Sequence, residues 1–125
     1  MLVTPMSTPG VGQPLDELSE TGVQVLHTVK HAGDLAESTA KLVRDLLDAL
    51  GTAGTALRHR DAAMSPLEAA RFSEWLHELR GRMHAIVGWA HLLRRARNDT
   101  LRLRAFEAIE RNARRFDALL AEPPE

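Results

Sequence analysis

SPLEAARFSEWLHELRGRMHAIVGWAHLL, residues 65–93, is the stretch on which the fold turns. It opens with Ser65 as an N-cap, Pro66 at the first helical position and Glu68 three residues after the cap. Together these satisfy the orphan N–H groups of a helix start. From there Phe72, Leu76, Leu79, Met83, Ile86, Ala90 and Leu93 recur by steps of four and three, which lines them along one side of a helix running from about 66 to 97. Trp75, Arg82 and Trp89 lie seven apart beside that seam, so the buried stripe is wider than a two-stranded coil needs. More than one helix must cover it, and the two tryptophans read as packing residues.

Toward the C-terminus, Asn98-Asp99-Thr100 carries turn and N-cap chemistry. A second seam of Phe106, Ile109, Ala113, Phe116 and Leu120 then runs to a stop before Pro123-Pro124. Residues 66–121 are therefore predicted to form a helical hairpin, whose wide apolar face needs either the N-terminal helix or a second copy of the chain. Toward the N-terminus, Leu15, Leu18, Gly22, Val25, Val29, Ala32, Ala36, Thr39, Val43, Leu46, Leu50, Ala53 and Leu57 keep one heptad phase. Gly22 is the weak member of this seam, having no side chain to offer. Unbroken phase predicts one long helix over 15–60. Gly33, followed by Asp34 and Glu37, is the competing signal, reading as a helix stop and a fresh start. Arg58 to Met64 reads as a polar connector. Residues 1–14, with Pro5, Pro9 and Pro14, read as a disordered arm.

Composition sets the outer bounds. A chain of 125 residues, 44% hydrophobic and 26% charged, suits one globular domain. No apolar run reaches the roughly 18–20 residues that cross a bilayer, and the first residues lack the pattern of a secretory signal, so a cytoplasmic location is the expectation. With no cysteine, thiolate nucleophiles, disulfides and thiolate-held metals are excluded. Aromatics are only 4% and tyrosine is absent, which leaves few strand formers and predicts an all-α fold. The net charge of −1 argues against general nucleic-acid binding. Its distribution is uneven: residues 77–115 hold ten arginines against four acids, which suggests an anionic partner surface for this half.

His77, His84 and His91 are spaced by seven and fall on one flank of the first hairpin helix. By position alone they are ordinary residues of a solvated face. The wider context adds to this. Phe72-Ser73-Glu74-Trp75-Leu76-His77-Glu78-Leu79-Arg80, then Ile86-Val87-Gly88-Trp89-Ala90-His91-Leu92-Leu93, resembles the histidine box of the dimerisation and histidine-phosphotransfer domain of bacterial sensor histidine kinases. Ile109-Glu110-Arg111-Asn112-Ala113-Arg114-Arg115 is similar to the second helix of that domain. The resemblance implies a hairpin that dimerises into a four-helix bundle and displays a phosphoaccepting histidine, which His77 matches. A neutral imidazole is a competent nucleophile near neutral pH. Glu78 matches the family's proton-handling carboxylate, and Arg80, Gly81, Arg82 and His84 lie where a partner would dock.

The chain also departs from that family. Gly81 and Arg82 stand where it carries Thr or Asn followed by Pro, which puts dephosphorylating activity in doubt and removes the usual helix bend. Glycine-rich phosphate loops are missing, so the chain is not expected to phosphorylate itself from ATP, and no bound cofactor is expected. Two readings stand at this point. One is a homodimeric phosphotransfer protein working with a sensor kinase or a receiver domain, any Mg²⁺ arriving with the receiver. The other is a silent helical scaffold. Nucleic-acid binding is a distant third. His27 and His31, at i and i+4, could share a metal, but no third ligand is placed by the spacing. Arg94, Arg95, Arg97, Arg102 and Arg104 crowd the hairpin tip, either for solubility or to meet acidic groups or phosphates.

Overall fold

The computed structural model describes residues 12–33, 36–58 and 64–124. They form four α-helices: α1 (Gly12–Lys30), α2 (Glu37–Arg58), α3 (Pro66–Arg95) and α4 (Asp99–Ala121). The all-α expectation holds, and both ends of the second hairpin fall where the local chemistry put them. Ser65 Oγ accepts from the Glu68 N–H, and Asn98 Oδ1 accepts from the Leu101 N–H. Each cap satisfies one of the donors that a helix start leaves without an intrahelical partner.

The single helix expected over 15–60 is two helices. The chain reverses at Gly33, whose φ of +109° is a backbone conformation open to glycine and strained for residues with a Cβ. The Ala32 N–H bonds back to the Val29 carbonyl, and the Gly33 carbonyl accepts from Ala36, so the turn is closed on both sides. Heptad phase survives because the inward residues on either flank, Val29 and Ala36, are themselves a heptad apart. Residues 12–14 of the arm assigned to 1–14 belong to a helix instead. α1 already begins at Gly12, and Pro14 sits buried in its first turn, where a missing N–H costs nothing. Residues 1–11 of that arm and 59–63 of the connector lie outside the described residues.

Around the bundle the order is α1, α2, α4, α3, with α3 closing back on α1. Gly22 lies against Leu47 and Gly54 against Leu15, which makes α1 and α2 antiparallel. Trp75 with Leu119 and Arg82 with Asn112 do the same for α3 and α4. The two hairpins dock with α1 parallel to α3, Gly22 facing Met83 and Thr28 flanking Leu93. α2 likewise runs parallel to α4, Thr39 meeting Glu110 and Leu57 lying beside Leu120. One continuous core results, in which Val29, Leu79, Ile109 and Phe116 are wholly buried. The apolar face of the α3–α4 hairpin is thus covered by α1 and α2 of the same chain. No helix is long and apolar enough to cross a membrane among the described residues.

Gly22 has a role that its empty position in the seam concealed. A Cβ there would fall 2.6 Å from Leu47 Cδ2, so the glycine is the socket into which Leu47 fits. Two polar residues are buried with the core. Thr39 donates from Oγ1 to Glu110 Oε2 at 2.8 Å, joining the two hairpins. Asn112 donates from Nδ2 to the Ala108 carbonyl and accepts on Oδ1 from Arg82 Nη1, at 3.5 Å. Among the described residues, no buried side-chain nitrogen or oxygen is left without a partner.

Candidate functional site: the outer face of α3

The seam of α3 fixes what its opposite face presents. Because Leu76, Leu79, Met83 and Ile86 point inward, helical rotation turns His77, Gly81, His84 and Gly88 outward, and all four are exposed. His91 is exposed on the same flank. The His77 imidazole has no hydrogen-bond or ion-pair partner among the described residues, so both ring nitrogens are available to an incoming group. Gly81, one turn further along, has nothing within 4 Å of the position a Cβ would take. The surface beside the ring is therefore low and open.

Glu78 is exposed but does not hydrogen-bond His77. Consecutive residues diverge by about 100° on a helix and do not face each other. Its carboxylate is free to swing rather than fixed on the ring. Arg80 and His84 lie on the side of α3 toward α1. With Glu17, Leu18, Thr21, Met83 and Val87 they line a largely apolar notch of about 300 Å³. Arg82 goes the other way: half-buried, it turns toward α4 and bonds Asn112. Of the four residues expected at a docking surface, Arg80, Gly81 and His84 share the open side of α3 with His77, and Arg82 serves the seam between α3 and α4.

Trp75, which the sequence marked as a packing residue, is buried edge-on to Phe72. It donates from Nε1 to the Leu119 carbonyl at 2.7 Å. Trp89 is half-buried at the edge of the core. At the far end of α1, the His27 and His31 rings meet at a tilt of 46° with centroids 4.3 Å apart, and His31 Nδ1 lies 2.8 Å from the His27 carbonyl oxygen. Among the described residues no three His, Cys, Asp or Glu side chains gather to hold a metal ion. Arg102 pairs with Asp99 at 3.0 Å, while Arg94, Arg95, Arg97 and Arg104 are exposed.

Sequence reasoning missed the bond between Thr39 and Glu110, which spans 71 residues. Its only trace was a threonine at an otherwise apolar seam position. It also missed that His27 and His31 stand beside Arg94 and Arg102. No family model, curated protein or solved structure matches this chain.

Proposed function

We propose that this protein takes a phosphoryl group on His77 from a partner kinase or phosphorylated receiver domain and passes it to a receiver aspartate. The observation that carries this reading is an exposed imidazole without a partner, held at mid-helix on a rigid bundle beside an open glycine. A ring nitrogen lone pair attacks phosphorus, the bond from phosphorus to the donor oxygen breaks, and the donor leaves with that electron pair. Catalysis of such a transfer is mainly positioning and charge stabilisation. Arg80 supplies positive charge and His84 a hydrogen-bonding ring on the same open side, and Glu78, unattached, is able to take the ring proton. Mg²⁺ would arrive with the receiver.

The homodimer implied by the resemblance is not needed to bury the α3–α4 face, since α1 and α2 already cover it. Association of two copies would use an outer face or an exchange of hairpins. Sedimentation equilibrium separates a 13.8 kDa species from its dimer.

The test is incubation with a phosphorylated receiver or an active sensor kinase, followed by measurement of acid-labile label. Wild type should label, and His77→Ala should not, with its stability within about 0.5 kcal/mol of wild type as for other surface changes. Full labelling of His77→Ala overturns the assignment.

A second reading has its own support, because Arg82 is committed to Asn112 and Glu78 is not engaged with His77. In that reading the bundle is a silent interaction module for a partner protein. A cellular phenotype unchanged by His77→Ala but abolished by the core change Leu79→Asp favours the scaffold over the phosphotransfer protein.

A further inference from the structure

A cleft of about 490 Å³ lies at the end of the bundle where α1 and α3 finish and α4 begins. Gln24, His27 and Thr28 from α1, with His31 and Ala32 just beyond its C-terminus, form one wall, and Leu93, Arg94, Ala96 and Arg102 form the other. Its charge composition is one-sided: two imidazoles and two guanidiniums line it, and no carboxylate does. Asp99 stands at the margin, 3.0 Å from one nitrogen of Arg102, leaving the other N–H groups of that fork uncommitted. Arg94 has no partner among the described residues.

The hydrogen-bonding inventory points the same way. Thr28 spends its proton on the Gln24 carbonyl. His31 Nδ1, set against the His27 carbonyl oxygen, must carry a hydrogen, which leaves Nε2 to face outward. The groups left over are the Gln24 amide, the imidazoles and the two guanidiniums, a set dominated by donors. Cations at the C-termini of α1 and α3 also complement the helix dipoles there, but each terminus amounts to only about half a charge. The two guanidiniums alone exceed that.

We infer that this cleft binds a multiply charged oxyanion, of the phosphate or pyrophosphate class, between His27, His31, Arg94 and Arg102. Arginine forks suit such groups because they offer paired N–H donors at the spacing of two phosphate oxygens. A recessed pocket between three helices favours a small ligand over a protein surface. The two imidazoles, their ring centroids 4.3 Å apart, set two hydrogen-bonding rings side by side in the same wall of the cleft. The titratable and charged groups facing the ligand are the four named, with Asp99 beside Arg102. Among the described residues none of α2 lines the cleft.

The experiment is titration of the full chain with inorganic pyrophosphate, and separately with phosphate, at constant ionic strength set by chloride. Imidazole and arginine side-chain resonances are followed at one fixed pH. Saturable shifts at His27, His31 and Arg94 are expected, with at least a tenfold loss of affinity in Arg94→Ala. His31→Gln, a surface change that keeps the fold, should also weaken binding. The His77→Ala protein should bind like wild type, so this site stands or falls separately from His77. Shifts that chloride reproduces at equal ionic strength, or equal affinity in Arg94→Ala, overturn the proposal.

Discussion

The two hairpins of this bundle are built from different materials. All five aromatic side chains of the chain, Phe72, Trp75, Trp89, Phe106 and Phe116, belong to α3 and α4, and α1 and α2 hold none. The second hairpin is joined by bulk and by polar pins, from Trp75 to Leu119 and from Arg82 to Asn112, and its helices start at side-chain caps. The first is joined by close approach, with Leu47 seated on Gly22 and Leu15 beside Gly54, and it reverses on a left-handed glycine. Large side chains leave the outer face of α3 free to carry chemistry because the inner face alone secures the helix. The first hairpin covers that inner face with aliphatic side chains, and its surface contributes one wall of the cleft at the end of the bundle.

Truncation of a ring is the strongest way to break this contrast. Phe116→Ala, at a fully buried position, should cost about 3–5 kcal/mol in urea denaturation, through lost transfer energy and the cavity left behind. Filling the glycine socket attacks the other half. Gly22→Leu should cost about 1–3 kcal/mol by overpacking, since the added atoms compete with Leu47 for one space. A loss as small as that of an exposed substitution would show that the two helices do not meet closely there. The smallest effects sharpen the comparison by their sign. Gly33→Ala should destabilise by about 1–2 kcal/mol, because alanine is strained at positive φ. Gly51→Ala, mid-helix and open to solvent, should stabilise by about 0.5–1 kcal/mol. Equal effects at the two glycines would remove the turn as the cause.

The second hairpin was legible almost to the residue because its signals are local. A serine, a proline and a glutamate mark one start, an asparagine marks the other, and every seam residue of α3 from Phe72 to Leu93 is buried. The first hairpin was legible as to which residues face inward but not as to where the chain turns. Periodicity records only facing, and a reversal that spans one heptad leaves it unchanged. Gly33 held the missing information in its backbone angle, which a glycine allows and does not compel. Exposure of His77 followed from its place opposite the seam. The separation of Glu78 from His77 follows from helix geometry alone, whereas the turning of Arg82 toward Asn112 depended on tertiary packing that no local pattern encodes.

The uneven placement of aromatics reaches into how the molecule can be watched. With no tyrosine and both indoles on α3, intrinsic ultraviolet emission reports that helix alone, one ring sealed against Phe72 and the other at the wet margin of the core. An emission trace is blind to α1 and α2 except through their contact with α3, whereas far-ultraviolet dichroism sees all four helices alike. Any lag between the two signals during unfolding would therefore time the departure of one hairpin from the other, with no added dye.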